Sequence, residues 1–211
     1  ILLCTTLLLI AVTLSLIPMA GQFFFTLLSP VFLAGLMIGC RALEQGEKLE
    51  IAHLLAGFRS TPGPLITIGG IYLVGQVLIL GLFMLVGGDV LMDLLIDGKR
   101  VDENELKSVS GNMLSASLVG LTLSVPLMMA TWFAPLLVIF NGMAAVDAMR
   151  LSFVACLKNI IAFQIYGITL VALVILATMP YGLGLFILIP TLFGSIYASY
   201  RDIFVDTAES A

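Results

Sequence analysis

The sequence predicts an all-α fold, a polytopic membrane bundle of six transmembrane helices with short interfacial helices. Three observations carry this expectation. The 211 residues are 61% hydrophobic and only 10% charged, with a mean hydropathy of +1.18, whereas soluble domains carry roughly 25% charged residues. A water-soluble fold this apolar would expose large greasy patches; a bilayer solvates them instead. Asp, Glu, Lys and Arg are absent from four blocks, 1–40, 60–88, 108–146 and 159–200. Finally, Pro30, Pro135 and Pro190 stand 11, 12 and 11 residues before the next charged residues, Arg41, Asp147 and Arg201.

A membrane helix needs about 20 apolar residues rising about 1.5 Å each. The first and last blocks therefore hold two spans each and the middle blocks one each. The expected spans are about 1–18, 22–40, 64–87, 115–140, 160–178 and 183–200, in a single transmembrane domain over 1–211. Span four contains Pro126 and Pro135, and Pro180-Tyr181-Gly182 makes a tight turn between spans five and six. Proline inside such helices is tolerated because neighbours satisfy the freed carbonyls, and each proline marks a kink. Ile1 already lies within an apolar run, without a Met start or a basic leader region, so the natural chain is expected to begin upstream.

Two polar boundaries carry similar segments, LEIAHLLAGFR (49–59) and AMRLSFVACLK (148–158). Ile51, Leu54, Leu55 and Phe58 recur at helical spacing in the first, as do Met149, Phe153, Cys156 and Leu157 in the second. Such helices lie in the membrane interface with the apolar face down, or pack on protein as elbows; both readings stay open. An interface helix, a span and a proline-broken span then form a unit repeated three times, as a pseudo-symmetric bundle.

The basic residues divide six to three. Arg41, Lys48, Arg59, Arg150, Lys158 and Arg201 fall on one side, and Lys99, Arg100 and Lys107 on the other. The positive-inside bias puts 41–60 and 141–158 in the cytoplasm, 89–112 outside it, and both chain ends toward the cytoplasm.

The segments SPVFLAGLMIGCRALEQGE, LLAGFR and WFAPLLVIFNG…AMRLSFVACLKN resemble an uncharacterised family of proteobacterial multi-pass inner-membrane proteins. Members of that family typically begin with an aromatic, basic amphipathic segment before the first span. The resemblance implies a bacterial inner-membrane location and a multi-pass fold, and it brings no catalytic residues. The helix layout is also loosely similar to the membrane region of some glycerophosphodiester phosphodiesterases, without their catalytic domain.

Few residues suggest chemistry. His53, the one histidine, has Glu50 and Asp147 as conceivable co-ligands, but a zinc site needs more partners; a titratable interface residue is the plainer reading. Asp89, Asp93 and Asp97 line one helical face, suited to a hard cation or simply to water, and Asp102 to Glu105 has the form of a capping box. Cys4, Cys40 and Cys156 lack CxxC spacing and read as small apolar fillers. Gln76 and Gln164 are costly to turn toward lipid and are expected to bond between helices. Gly35 with Gly39, and Gly194 with Ala198, allow close helix approach, within the chain or in a homodimer. No nucleotide-binding or nucleophile-elbow motif occurs, and the net charge of −4 disfavours nucleic acid.

No catalytic, cofactor-binding or metal residue is assigned, and no cofactor is expected. The partners are the lipid bilayer and a membrane protein or a second copy of the chain. A non-enzymatic scaffold or accessory subunit is the expected role. The alternatives are a transporter or channel for a neutral or lipidic solute, suggested by the repeat layout, and an intramembrane enzyme.

Overall fold

The computed structural model describes residues 4–7, 20–87, 103–179 and 181–206. These are helical almost throughout, and among them there is no strand. The helices are α1 (Ala20–Glu44), a 3-10 turn (Ile51–Leu55) running into α2 (Ala56–Ser60), α3 (Pro62–Gly87), α4 (Glu103–Trp132), α5 (Ala134–Asn141), α6 (Ala145–Lys158), α7 (Ile160–Thr178) and α8 (Leu185–Arg201). A π-helical turn (Asp202–Asp206) ends the described chain. Four stretches among the described residues are long and apolar enough to cross a membrane: Gly21–Glu44, Pro62–Val86, Met113–Asn141 and Ile160–Thr178. Of the expected first span, about 1–18, only 4–7 lie within the described residues. α8 has 17 residues, about 25 Å of helix.

Two compact units make up the chain, Ile1–Gly70 with Met129–Ala211, and Ile71–Met128. The core of unit one is apolar. Val31, Met37, Leu54, Leu65, Ile68, Phe133, Leu136 and Leu137 are fully buried in it. Phe133 stands at its centre, edge-on to Phe163 at 5.8 Å and to Phe204 at 5.5 Å. In unit two, a methyl placed on Gly75 would lie 2.8 Å from Leu127 Cδ2, and one on Gly120 3.5 Å from Phe83, so small residues let large apolar ones approach.

Pro30 and Pro190 lie inside helices, whereas span four, one stretch long and apolar enough to cross a membrane, is made of two helices. It breaks at Phe133, leaving Pro135 in the first turn of α5, where proline's missing N–H costs no helical hydrogen bond. α4 also begins at Glu103, well before the apolar block; the capping box expected over Asp102 to Glu105 depends on Asp102, which lies outside the described residues. Gly142, with φ of 65°, ends α5 in the left-handed conformation, and its N–H donates to the Val138 carbonyl; a residue with a Cβ fits this helix end poorly. Tyr181 and Gly182 lie in a turn as expected, with φ of 52° and 78°; Pro180, the other residue of that expected turn, lies outside the described residues.

Both boundary segments are short helices. They do not present a single apolar face to the outside. Leu54, Met149 and Cys156 are buried against the core, while Ile51, Leu55 and Leu157 are exposed. Each packs on the proline-bearing span that precedes it in the chain, by contacts described below.

Candidate functional site

The polar side chains of unit one gather where α1, α5 and α8 end. Tyr197 donates to Glu44 Oε2 at 2.8 Å, and Arg201 forms an ion pair with the same carboxylate. Tyr200 donates to Asn141 Oδ1 at 2.5 Å. The Arg41 guanidinium lies over the Phe140 ring, 5.3 Å from its centre, a cation–π arrangement. Phe140 also meets Tyr197 at 6.0 Å and Tyr200 at 5.5 Å, and Tyr200 meets Phe204 at 5.4 Å. Three helix ends are thus tied by tyrosines and arginines around a cavity of about 450 Å³ that also reaches Gln45 and Val205.

Helical spacing explains why these residues meet. Arg41 and Glu44 are three apart at the end of α1, and Tyr197, Tyr200 and Arg201 lie three and four apart at the end of α8. Residues so spaced share a face. Arg41 and Arg201 stood out in the sequence as the first charges beyond Pro30 and Pro190. Their union with Tyr197, Tyr200, Asn141 and Phe140 was not foreseen. The available signal was the matched proline-to-charge spacing, which aligns the ends of the spans without saying which faces meet.

A second polar knot lies in the core. The helix break would part the Phe133 N–H from the Met129 carbonyl, its partner four residues back. Ser152 of α6 fills that gap. The Phe133 N–H donates to Ser152 Oγ at 3.0 Å, and the Ser152 hydroxyl donates to the Met129 carbonyl at 2.7 Å. The Cys156 thiol reaches the same carbonyl at 3.6 Å. Burial pushes this thiol up to about 11, with the Ser152 hydrogen bond acting in the opposite sense. Such a cysteine stays protonated and unreactive at neutral pH.

The other sequence candidates resolve individually. His53 Nδ1 accepts from the Glu50 N–H at 3.0 Å, which makes it part of the start of the 3-10 turn. Among the described residues, no group of three or more His, Cys, Asp or Glu could hold a metal. Asp89, Asp93 and Asp97 lie outside the described residues. Gln76 bonds within its own helix, to Tyr72 Oη at 3.1 Å, so the interhelical bond expected of it is replaced by an i, i−4 contact. Gln164 is exposed on α7. Tyrosines make interhelical bonds of the kind expected of the glutamines, as Tyr166 does to Ser195 Oγ at 2.8 Å. Gly35, of the predicted small-residue pair, is buried against the carbonyls of His53 and Leu54, whereas Gly194 and Ala198 are exposed.

No family model matches the chain, and no solved structure matches it. A probable inner membrane protein of Burkholderia thailandensis is 30% identical over 223 aligned residues, covering 94% of this chain and 82% of that relative. The identity extends over nearly the whole chain, and the long apolar helices are those of a transmembrane protein. The chain belongs to this family of proteobacterial inner-membrane proteins.

Proposed function

We propose that this protein is a non-enzymatic scaffold or accessory subunit of the inner membrane, which holds a partner's membrane helix against α7. The carrying observation is α7 itself. None of its residues is buried, and Gln164 lies exposed on it with no hydrogen-bond partner among the described residues. Apolar side chains face lipid freely, but a glutamine amide there gains about 1 kcal/mol from a bond to a neighbouring helix. A membrane protein or a second copy of this chain supplies that helix. The competing transport reading would need a polar path at mid-membrane depth; the core around Phe133 is instead filled with apolar side chains.

In this reading the chain has six spans, with 1–18 and α8 added to the four long helices, and both chain ends face the cytoplasm. The six-to-three division of basic residues supports the orientation. The meeting of the ends of α1, α5 and α8 supports three parallel outgoing spans, and so the three-unit repeat.

A photoreactive side chain at Gln164 or Ile168, activated in native membranes, should yield a protein adduct of defined mass, while one at the buried Leu136 should not. Solute flux through liposomes containing the purified chain alone, with no adduct at position 164, would sink the scaffold reading. The orientation is checked separately: externally added thiol reagent should label a cysteine placed at Ser108 and not one at Ser60.

A further inference from the structure

Two cavities lie side by side at the converging ends of α1, α5 and α8 and share lining residues. The polar one, described above, is lined by Arg41, Asn141 and Tyr200 among others. The other, about 510 Å³, runs between α1 and α8 over Cys40, Leu43, Gly194 and Ala198. Glu44, Tyr197 and Arg201 line both. We propose that the two cavities together bind one anionic phospholipid, its phosphate held by Arg41 and Arg201 and an acyl chain laid along the α1–α8 groove.

The charge balance favours an anion. Two guanidinium groups, Arg41 and Arg201, and one carboxylate, Glu44, line the polar cavity, and Glu44 pairs with Arg201. Arg41 has a ring face and no carboxylate partner among the described residues. Guanidinium is weakly hydrated and matches phosphate oxygens in a fork. Gln45 and Asn141 add amide groups for a headgroup, and the tyrosines sit at helix ends, where aromatic rings mark the headgroup level. A volume of this order suits a small ligand, for which about 300–1,000 Å³ is usual.

A soluble phosphate ester would share the headgroup chemistry. The second cavity favours the lipid. It shares Glu44, Tyr197 and Arg201 with the polar cavity and reaches Cys40 and Gly194, and a methyl placed on Gly194 would meet no atom within 4 Å, so a chain can lie against the α8 backbone. This inference does not depend on the docking role of α7.

The test uses the full chain in nanodiscs, with native mass spectrometry counting the lipids retained after transfer to detergent. Phosphatidylglycerol should be retained in preference to phosphatidylcholine. Arg41→Gln should weaken that preference roughly tenfold, as loss of one charged hydrogen-bond donor does. Arg150→Gln, on α6, should leave it unchanged. Gly194→Leu should reduce retention by filling the groove; its side chain enters empty space, so it keeps the test available if Arg41→Gln fails to fold. Glycerol 1-phosphate at millimolar concentration should not displace the lipid. Equal retention of the two lipids, an equal loss in Arg150→Gln, or displacement by glycerol 1-phosphate would each overturn the proposal, the last in favour of a soluble phosphate ligand.

Discussion

The two boundary segments, Ile51–Ser60 and Ala145–Lys158, hold corresponding places and are fastened by different chemistry. Each follows a proline-bearing apolar stretch and precedes a long apolar helix. The first is held by backbone contact. Gly57 sits against the Val31 carbonyl, and Gly35 of α1 sits beneath the carbonyls of His53 and Leu54. The second is held by a side chain, the Ser152 hydroxyl spliced into the ladder between Met129 and Phe133. Within a membrane protein, close packing and interhelical hydrogen bonds hold helices together where water would otherwise drive them. The two segments use one of these means each. The two joints therefore share a place in the chain order, and the adhesive at each is local.

The difference between the joints is sharpest at Gly57. A methyl there would fall on the Val31 carbonyl oxygen, which is backbone and cannot swing away. Gly57→Ala should cost about 3 kcal/mol, the upper range of overpacking, read as a large fall in thermal unfolding temperature in detergent. An unchanged midpoint would mean that the first segment is not held by backbone contact.

Ser152→Ala should come next, at about 2 kcal/mol, because the buried Phe133 N–H and Met129 carbonyl lose their bridge. If it proves silent, the ladder closes on itself without the hydroxyl, and the contrast between the joints fails.

The thiol beside Ser152 should respond to pH. Cys156 holds its proton to about 11, whereas an unfolded thiol releases it near about 8.5. The folded state therefore binds the proton more tightly. Its contribution to stability is full below the unfolded value and declines as pH rises from there toward about 11. Cys156→Ala should flatten that part of a stability profile measured from pH 7 to 10, and an unaltered slope would place the titration elsewhere.

The smallest effect belongs to Gly167 on α7, where an added methyl meets no atom within 4 Å. Gly167→Ala should shift stability by less than about 1 kcal/mol, in the stabilising direction that helix propensity favours. A loss like that of Gly57→Ala would mean that α7 is covered in the functional state, which adduct formation at Gln164 would report independently.

Much of this was legible in the chain itself. The charge-free blocks marked the long apolar helices, since 18 or more apolar residues have few alternatives to spanning a bilayer. The turn at Tyr181 and Gly182 was readable because turns depend on neighbours in sequence. The helical character of 51–60 and 145–158 followed from apolar spacing. The site was only half visible: Arg41 and Arg201 stood out by position, but Tyr197, Tyr200 and Asn141 did not.

The tertiary structure decided which helix faces meet, and with them the function of each polar group. Periodicity gives a residue's direction around its own axis but not the neighbour it finds. So Gln76, expected to bridge helices, turned to Tyr72 in its own helix, while Ser152, unremarkable in sequence, became the bridge in the core. Pro135 announced a break, but only packing set it at Phe133 and provided the hydroxyl that closes it. The membrane protein itself was written in composition, a sum over residues. The arginine–tyrosine cluster arises from three helix ends separated by more than 50 residues along the chain, and only folding brings them together.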